Sequence, residues 1–244
     1  MYIITGMHRS GTSIVSRLFF EAGADLGNPD EFYPGDRWNP EGYFEQPDFH
    51  RINMPLINGQ WGKFAYFFLP SEKTILKRAK KYKHKIERIS INYRNKIVKE
   101  TRFCLTLPAW LKYGAGIKKI LISLREPIQV ARSLKSRDHI PIKLGLKLWY
   151  EHNKRLLKYI QDISHWFVDY NKLLDKEFYF DEIKNAFKFF NLNISDEKVE
   201  DLLKKYVKPS MNHNPINEYK YIEPIDKMWK RLKYEYNKQN SLII

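Results

Sequence analysis

The chain has 244 residues, of which 43% are hydrophobic, 15% aromatic and 29% charged. This length fits one α/β domain, or one domain with an extension, and the apolar content argues against a disordered chain. The net charge of +15 favours anionic partners, and the single cysteine, Cys104, excludes an internal disulfide framework and a multi-cysteine zinc site.

No run of about 18 apolar residues occurs in the sequence, so we expect no membrane-spanning helix. The first predicted strand begins at residue 2, which leaves no room before it for a signal peptide or an anchor. Cys104 lies among apolar residues and is expected to be an inert core residue. We therefore expect a soluble protein of the cytoplasm.

The spacing of apolar residues predicts strands that alternate with helices along the chain. The predicted strands cover residues 2–5, 95–99, 119–124 and 166–169. The predicted helices cover residues 12–22, 48–58, 71–91, 102–113 and 142–163, with another that begins at Pro127. Two later stripes at helical spacing are predicted to face the core: Ile183, Ala186, Phe187 and Phe190, and then Val199, Leu202, Leu203 and Tyr206.

This alternation indicates an α/β fold, a mainly parallel sheet with helices on both faces. We expect one domain over residues 1–244, with a helical C-terminal portion from about residue 178. Residues 27–47 are rich in glycine and proline and are predicted to form a long functional loop. Ligands of such sheets bind beyond the carboxyl ends of the strands, so the loops at that edge are the candidate site.

Residues 6–13 read Gly-Met-His-Arg-Ser-Gly-Thr-Ser and join the first strand to the first helix. Glycines let backbone N–H groups approach an anion, and the helix N-terminus adds partial positive charge. Gly6 and Gly11 have the spacing of the P-loop G-x-x-x-x-G-K-[ST], but Thr12 stands where its lysine should be and Arg9 supplies the cation. The loop therefore predicts a phosphate site that differs from ordinary Mg-ATP sites.

Residues 77–96 carry nine lysines and arginines against one acid, Glu87. Two interpretations remain open for this stretch: a solvated basic helix, or a face that binds an acidic acceptor or polymer. The charge alone does not decide between them.

A second candidate anion site follows the strand over 119–124. Arg125 leaves the end of that strand, and Ser133 lies eight residues later, about two helical turns on. An arginine fork and a hydroxyl so placed could grip a phosphate, and a surface ion pair beside a helical serine is the alternative. The strand ends in Leu-Arg, so the Walker B aspartate that holds Mg²⁺ in nucleotide triphosphatases is not present there.

Together, residues 6–13 and the pattern Arg125-x7-Ser133 strongly resemble the sulfotransferases that use 3′-phosphoadenosine 5′-phosphosulfate (PAPS). Further segments are similar to the bacterial, carbohydrate-type branch of that family. They are Asn39–Glu45, similar to N-P-x-G-[YF]-[FW]-E; Lys99–Arg102, similar to K-D-P-R; Leu148, Trp149 and Asn153, similar to L-W-x-x-x-N; and Val168–Leu174, similar to a strand followed by YxxLL. The resemblance extends in order over roughly residues 2–215.

The resemblance implies a P-loop-like sulfotransferase fold and transfer of a sulfuryl group from PAPS to an acceptor hydroxyl. The expected acceptor is a carbohydrate, as a glycan or a small hydroxylated molecule, and the products include 3′-phosphoadenosine 5′-phosphate, with no metal. Arg125 and Ser133 are expected to hold the 3′-phosphate. The 5′-phosphosulfate is expected to lie on His8, Arg9, Ser10, Gly11, Thr12 and Ser13.

Three residues are expected to act in the transfer itself. Arg9 and Lys99 would neutralise charge at the leaving phosphate and the sulfonate, although Glu-Thr replaces Asp-Pro after Lys99 and an exposed strand-end lysine is the alternative. Glu45 is the expected general base, with an acid at a helix N-terminus as its structural alternative. The other candidates for the base are His50, His8 and Glu41. The family's late arginine-glycine contact to the 3′-phosphate is not recognisable near His213.

Two other functions remain as alternatives. A P-loop phosphotransferase would need a lysine before the helix and a metal-binding acid, and the motifs supply neither. A non-enzymatic, basic nucleic-acid-binding protein on a degenerate P-loop fold would show salt-dependent affinity and no preference for a 3′-phosphorylated adenosine. Nucleic acid is not the expected partner.

Overall fold

The computed structural model describes residues 1–37, 39, 42–59, 68–208, 211 and 219–241. Four parallel strands form its sheet in the order β2-β1-β3-β4. They are β1 (Tyr2–Thr5), β2 (Ile97–Lys99), β3 (Lys119–Leu124) and β4 (His165–Asp169). In the register of the sheet, Ile4 lies opposite Lys99 on one side and Leu121 on the other. The carboxyl ends of the strands therefore meet at one edge.

Helices connect the strands and cover both faces of the sheet. They are α1 (Thr12–Glu21), α2 (Pro47–Asn58), α3 (Glu72–Ala79), α4 (Lys83–Asn92), α5 (Phe103–Tyr113), α6 (Pro127–Asp138), α7 (Ile142–Tyr159), α8 (Tyr170–Leu174), α9 (Tyr179–Phe189), α10 (Asp196–Tyr206) and α11 (Ile225–Asn240), with 3-10 helices at Pro29–Glu31 and Lys80–Tyr82. Within the described ranges, no helix is long and apolar enough to cross a membrane.

Each face of the sheet carries its own hydrophobic core, because successive strand side chains point to opposite faces. Ile3, Ile120 and Ile122 belong to the core built with α2 to α7 and α11. Ile4 and Leu121 belong to the second core, with α1 and α8 to α10. The two apolar stripes predicted on α9 and α10 are buried in that second core. The predicted α/β fold with helices on both faces is confirmed.

Two predicted helices differ from the structure in extent. The helix predicted over 71–91 is interrupted by a 3-10 helix at Lys80–Tyr82. The apolar spacing does not reveal this interruption, because buried residues precede and follow it. The helix predicted over 142–163 ends at Tyr159. Ile160 and Ile163 fit helical spacing, but a turn in which the Ile163 N–H donates to the Ile160 carbonyl at 2.9 Å leads the chain into β4.

The outer edge of β4 is covered by a side chain of α11. The Gln239 amide nitrogen donates to the Phe167 carbonyl at 2.7 Å, and the Phe167 N–H donates to the Gln239 amide oxygen at 2.7 Å. The buried amide thus replaces a neighbouring strand, so these two backbone groups are satisfied at an edge that would otherwise be open.

Gln239→Leu should lower the free energy of unfolding by about 2–4 kcal/mol, because it leaves the buried N–H and carbonyl of Phe167 without partners. Urea denaturation followed by circular dichroism would measure the loss. The control is Asn237→Leu, a change at an exposed position of the same helix, which should stay within about 0.5 kcal/mol of the parent. Equal effects of the two changes would contradict the assigned role of the Gln239 amide.

Candidate functional site

The loop between β1 and α1 passes so close to other backbone and side chains that two of its positions require glycine. A Cβ on Gly6 would lie 2.5 Å from the Ser123 carbonyl oxygen, and a Cβ on Gly11 would lie 2.0 Å from the ring of Tyr170. Gly11 also has φ of 88°, in the region that favours glycine. The backbone of this loop therefore packs directly against β3 and α8.

The residues of the two predicted anion sites lie in contact with one another. Arg9 Nε donates to Ser133 Oγ at 2.9 Å, and Arg125 Nη1 donates to the Arg9 carbonyl at 3.0 Å. The Arg125 guanidinium also lies 4.4 Å from the centre of the Tyr170 ring. This contact follows from the sheet order, since β1 and β3 are neighbours and their loops leave the same edge.

Neither Arg9 nor Arg125 forms an ion pair with an acid among the described residues, although the charge of Asp138 partly offsets the lowering of the Arg9 pKa. Among the described residues, neither guanidinium has a carboxylate within 4.0 Å, and Arg125 Nη2 is buried without a hydrogen-bond partner. Burial lowers the pKa of both side chains, and the charges of Arg137 beside Arg9 and of Arg9 beside Arg125 lower them further. Buried cations without a counter-ion are costly, so this arrangement favours a bound anion.

The rest of the loop offers further donors to an anion. Ser10 and Thr12 are buried, and α1 begins at Thr12 without a side-chain cap, which leaves its first N–H groups available. Ser13 Oγ accepts a hydrogen bond from Asn39 Nδ2 at 3.2 Å. The His8 ring packs edge-on against His152 at 5.3 Å. Burial lowers the pKa of His8 well below its usual range, so the neutral ring prevails at pH 7.

The two predicted catalytic residues Glu45 and Lys99 form an ion pair, although 54 residues separate them in sequence. Lys99 Nζ lies 2.6 Å from Glu45 Oε1, and Lys99 is 2% exposed, so it is not an exposed strand-end lysine. Arg102 Nη1 lies 3.3 Å from Glu45 Oε2 and 2.8 Å from Glu100 Oε1. We call Glu45, Lys99, Glu100 and Arg102 the ion cluster.

The ion cluster sets the protonation of the candidate bases. Burial alone would raise the pKa of Glu45, but Lys99 and Arg102 hold it below its usual 4.5, so the carboxylate is ionised at neutral pH. Burial and the charge of Arg102 also lower the pKa of His50. Glu41, the remaining candidate for the base, lies outside the described residues, as does His213.

A segment that precedes Glu45 folds against α6. Tyr43 Oη donates to Asp36 Oδ2 at 2.7 Å, and Arg137 Nη2 lies 3.4 Å from the same oxygen. The Tyr43 ring centre is 5.7 Å from the Arg137 guanidinium and 5.8 Å from Lys99 Nζ. Tyr43 therefore lies between α6 and the ion cluster.

Arg102, Arg137 and Tyr170 are site residues to which the sequence patterns assign no role. Arg137 follows Ser133 by one helical turn, a spacing that places both on the same face of α6. Tyr170 directly follows β4 at the ligand-binding edge of the sheet. Arg137 and Tyr170 could therefore have been predicted as site residues from their positions in the sequence. The pairing of Arg102 with Glu45 depends on the fold. In the described ranges, no three His, Cys, Asp or Glu side chains are grouped to hold a metal ion.

Comparison of this structure with solved structures identifies its fold. The sulfotransferase domain of the olefin synthase from Synechococcus PCC 7002 superposes over 96% of this chain and 94% of that domain, with a TM-score of 0.55 and 16% sequence identity. The chain has a sulfotransferase fold. The resemblance predicted from the motifs is thus confirmed at the level of the fold.

Other comparisons are less informative about this sulfotransferase fold. Sulfotransferase STF1 from Mycobacterium tuberculosis is 14% identical, with a TM-score of 0.47 over 94% of this chain and 75% of that one. No protein-family model matches the chain, and no curated protein matches it either.

Proposed function

We propose that the chain is a sulfotransferase that takes a sulfuryl group from PAPS and transfers it to a hydroxyl of the acceptor, with a carbohydrate as the expected acceptor. The observation that carries this proposal is a pair of arginines, the half-buried Arg9 and the buried Arg125, which have no carboxylate within 4.0 Å among the described residues. They lie on adjacent loops of a sulfotransferase fold. PAPS has two anionic groups, the 3′-phosphate and the 5′-phosphosulfate, and each arginine would supply a cation to one of them.

The side chains present fit such a donor. Arg125 Nη2 and Ser133 would hold the 3′-phosphate, because the unpartnered guanidinium nitrogen requires an acceptor and the serine lies on the adjoining helix. The loop from His8 to Ser13 would hold the 5′-phosphosulfate with backbone N–H groups and hydroxyls. When bound, PAPS supplies the sulfuryl group on a phosphosulfate anhydride.

In the transfer, the acceptor oxygen forms a bond to sulfur while the bond between sulfur and the bridging oxygen breaks. The electron pair of that bond leaves with 3′-phosphoadenosine 5′-phosphate, and the proton of the acceptor hydroxyl goes to Glu45. Arg9 and Lys99 would neutralise the charge that develops on the leaving phosphate. Glu45 is buried and ionised, which supports it as the base.

Calorimetric titration with 3′-phosphoadenosine 5′-phosphate in EDTA tests the proposal. We expect binding to persist in EDTA and to exceed the affinity for AMP or ATP by on the order of 100-fold, since a charge-assisted contact to the 3′-phosphate contributes about 2–3 kcal/mol. Binding that is lost on chelation, or equal affinities for the three nucleotides, would reject a PAPS site. Tighter binding of ATP with Mg²⁺ would instead favour a phosphotransferase.

The pH dependence of kcat/KM tests which residue is the base. With the donor as the varied substrate, kcat/KM reports the pKa of the base in the enzyme that has not yet bound the donor. A base must be deprotonated, and the Glu45 pKa is held below 4.5. We therefore expect kcat/KM to keep its plateau down to about pH 5 and to fall only at lower pH. A fall that begins near neutral pH would contradict Glu45 as the base, because the pKa of Glu45 is held below 4.5.

Glu45→Gln should lower kcat about 10²- to 10⁴-fold and leave the affinity for 3′-phosphoadenosine 5′-phosphate unchanged, because a glutamine cannot accept the proton. The matched change is His50→Asn, for which we expect less than a tenfold loss of kcat. Steady-state kinetics of both variants measure the difference. The reverse order of the two losses would assign the base to His50.

A further inference from the structure

The four members of the ion cluster differ in how firmly they are held. Arg102 is fixed to Glu100 twice, through its backbone N–H at 2.9 Å and through Nη1 at 2.8 Å, and its Nε donates to Met54 Sδ at 3.1 Å. Its bond to Glu45 is longer, at 3.3 Å. Glu100 and Arg102 therefore form the fixed half of the cluster.

Lys99 is held by one bond. Among the described residues, its ammonium group donates to Glu45 alone, at 2.6 Å, although an ammonium can donate three hydrogen bonds. Lys99 is 2% exposed, so water does not readily satisfy the other two donors. A buried ammonium with unused donors is attracted to any additional anion within reach.

The position of Lys99 brings it close to the loop over residues 6–13, which we call the donor loop. Lys99 ends β2 opposite Ile4 of β1, two residues before that loop begins at Gly6. Its Nζ lies 5.8 Å from the Tyr43 ring, whose other neighbour is the Arg137 guanidinium. Arg137 is near enough to Arg9 for its charge to act on it. Lys99 is thus paired with Glu45 and, through Tyr43, neighbours Arg137, whose charge acts on Arg9.

We propose that donor binding releases the base: Lys99 turns from Glu45 to the anionic end of the bound donor, while Arg102, fixed by Glu100, keeps Glu45 in place. This inference rests on the proposed function. With its four members paired, the cluster has two positive and two negative charges. Without Lys99 it has a net negative charge, which strengthens Glu45 as a proton acceptor. The acceptor hydroxyl is then activated only when the donor is present.

Other titratable groups face the ion cluster, so their proton uptake has to be distinguished from that of Glu45. His50 approaches from α2 and interacts with Glu45, Glu100 and Arg102. His8 approaches from the donor loop and interacts with Arg102. Tyr43 approaches from the segment before Glu45 and is deprotonated only at high pH, because burial and its bond to Asp36 raise its pKa. Subtraction of the Glu45→Gln signal isolates the carboxylate.

The test is the number of protons taken up when 3′-phosphoadenosine 5′-phosphate binds at about pH 5, obtained by calorimetry in buffers of different ionisation enthalpy. If binding strengthens Glu45 as a proton acceptor, the protein takes up protons between the free and the bound pKa of that residue. We expect the parent to take up roughly half a proton more than Glu45→Gln. Equal uptake by the two proteins would overturn the proposal.

Lys99→Met shows whether the lysine causes the change. In this variant Glu45 has no lysine partner before the nucleotide binds. Its proton uptake should therefore exceed that of Glu45→Gln by less than half as much as the parent's does. The matched control is Lys158→Met, which removes a lysine from a 2.5 Å pair with Glu72 at the surface. It should keep the parental uptake. Full uptake in Lys99→Met would mean that the charge of the nucleotide acts directly, and would overturn the release of Glu45 by Lys99.

Arg102→Met tests the positioning role of the fixed half. We expect kcat to fall at least tenfold while the affinity for 3′-phosphoadenosine 5′-phosphate stays within about twofold, since Arg102 would position Glu45 and not the donor. Arg102→Lys should restore part of kcat, because a lysine can still pair with both carboxylates. Equal losses of kcat and affinity would overturn the positioning role.

The same calorimetry separates the two proposals. If the nucleotide does not bind, the PAPS site itself is rejected. If the nucleotide binds and the uptake difference between the parent and Glu45→Gln is zero, the PAPS site stands and the release of Glu45 is rejected.

Discussion

Arg9→Met should lower kcat/KM about 10³-fold. Arg9 would stabilise the charge that develops on the leaving phosphate, and removal of one such donor costs about 10²- to 10³-fold. It also forms no ion pair with a carboxylate within 4.0 Å among the described residues. Steady-state kinetics measure the loss, and calorimetry with 3′-phosphoadenosine 5′-phosphate shows how much of it is ground-state binding.

Two further arginine variants make the Arg9 result interpretable. Arg9→Lys should recover part of kcat, because it keeps the positive charge. The recovery should be incomplete, because lysine lacks the planar guanidinium that donates to Ser133. Arg17→Met removes another arginine of the same region, but one that is paired with Glu21 at 2.9 Å and lies over the Tyr206 ring. It should leave kcat/KM within about threefold of the parent. Comparable losses from Arg9→Met and Arg17→Met would contradict the role of Arg9.

Arg125→Ala should abolish the preference for a 3′-phosphate. In the parent we expect 3′-phosphoadenosine 5′-phosphate to bind on the order of 100-fold more tightly than AMP, and in the variant within a few-fold of AMP. The reason is that Arg125 presents a buried, unpartnered Nη2, and that it and Ser133 both bond to Arg9. Calorimetry of both nucleotides with both proteins measures the preference directly.

The ratio of the two affinities, and not their absolute values, decides the role of Arg125. A merely structural change would weaken both nucleotides alike, because both share the adenosine and the 5′-phosphate. Lys135→Ala, a change at an exposed cation of the same helix, should leave the ratio unchanged. Arg125→Lys should not restore it, since a lysine cannot reproduce the fork that stacks on Tyr170 at 4.4 Å. A preserved ratio in Arg125→Ala would remove Arg125 from the 3′-phosphate site.

Much of the fold was predictable because its signals are local. The strand over 2–5, the loop over 6–13 and the following helix are read from neighbouring residues, and β1 and α1 agree with that prediction. The break at Lys80–Tyr82 and the end of α7 at Tyr159 were not predictable, since the apolar spacing continues through both points. At both points the backbone conformation depends on the tertiary packing and on the position of the next helix or strand.

The candidate site divides in the same way. Arg9, Arg125 and Ser133 were predictable as anion ligands because each lies at a fixed distance from a strand end. Their direct contact, and the contact of Tyr170 with both loops, follow from the sheet order. Spacing along the chain does not specify which loops become neighbours, and so these contacts needed the structure.

By itself, the sequence determined the α/β fold class and the absence of a lysine before Thr12, and it predicted a phosphate site at residues 6–13. Only the tertiary structure decided that Glu45 is held by Lys99 and Arg102, and that Arg9 and Arg125 have no acid beside them among the described residues. The physical reason is that the state of a charged group depends on its burial and on its neighbours within a few ångströms. For Glu45 those neighbours come from β2 and the start of α5, more than 50 residues further along the chain.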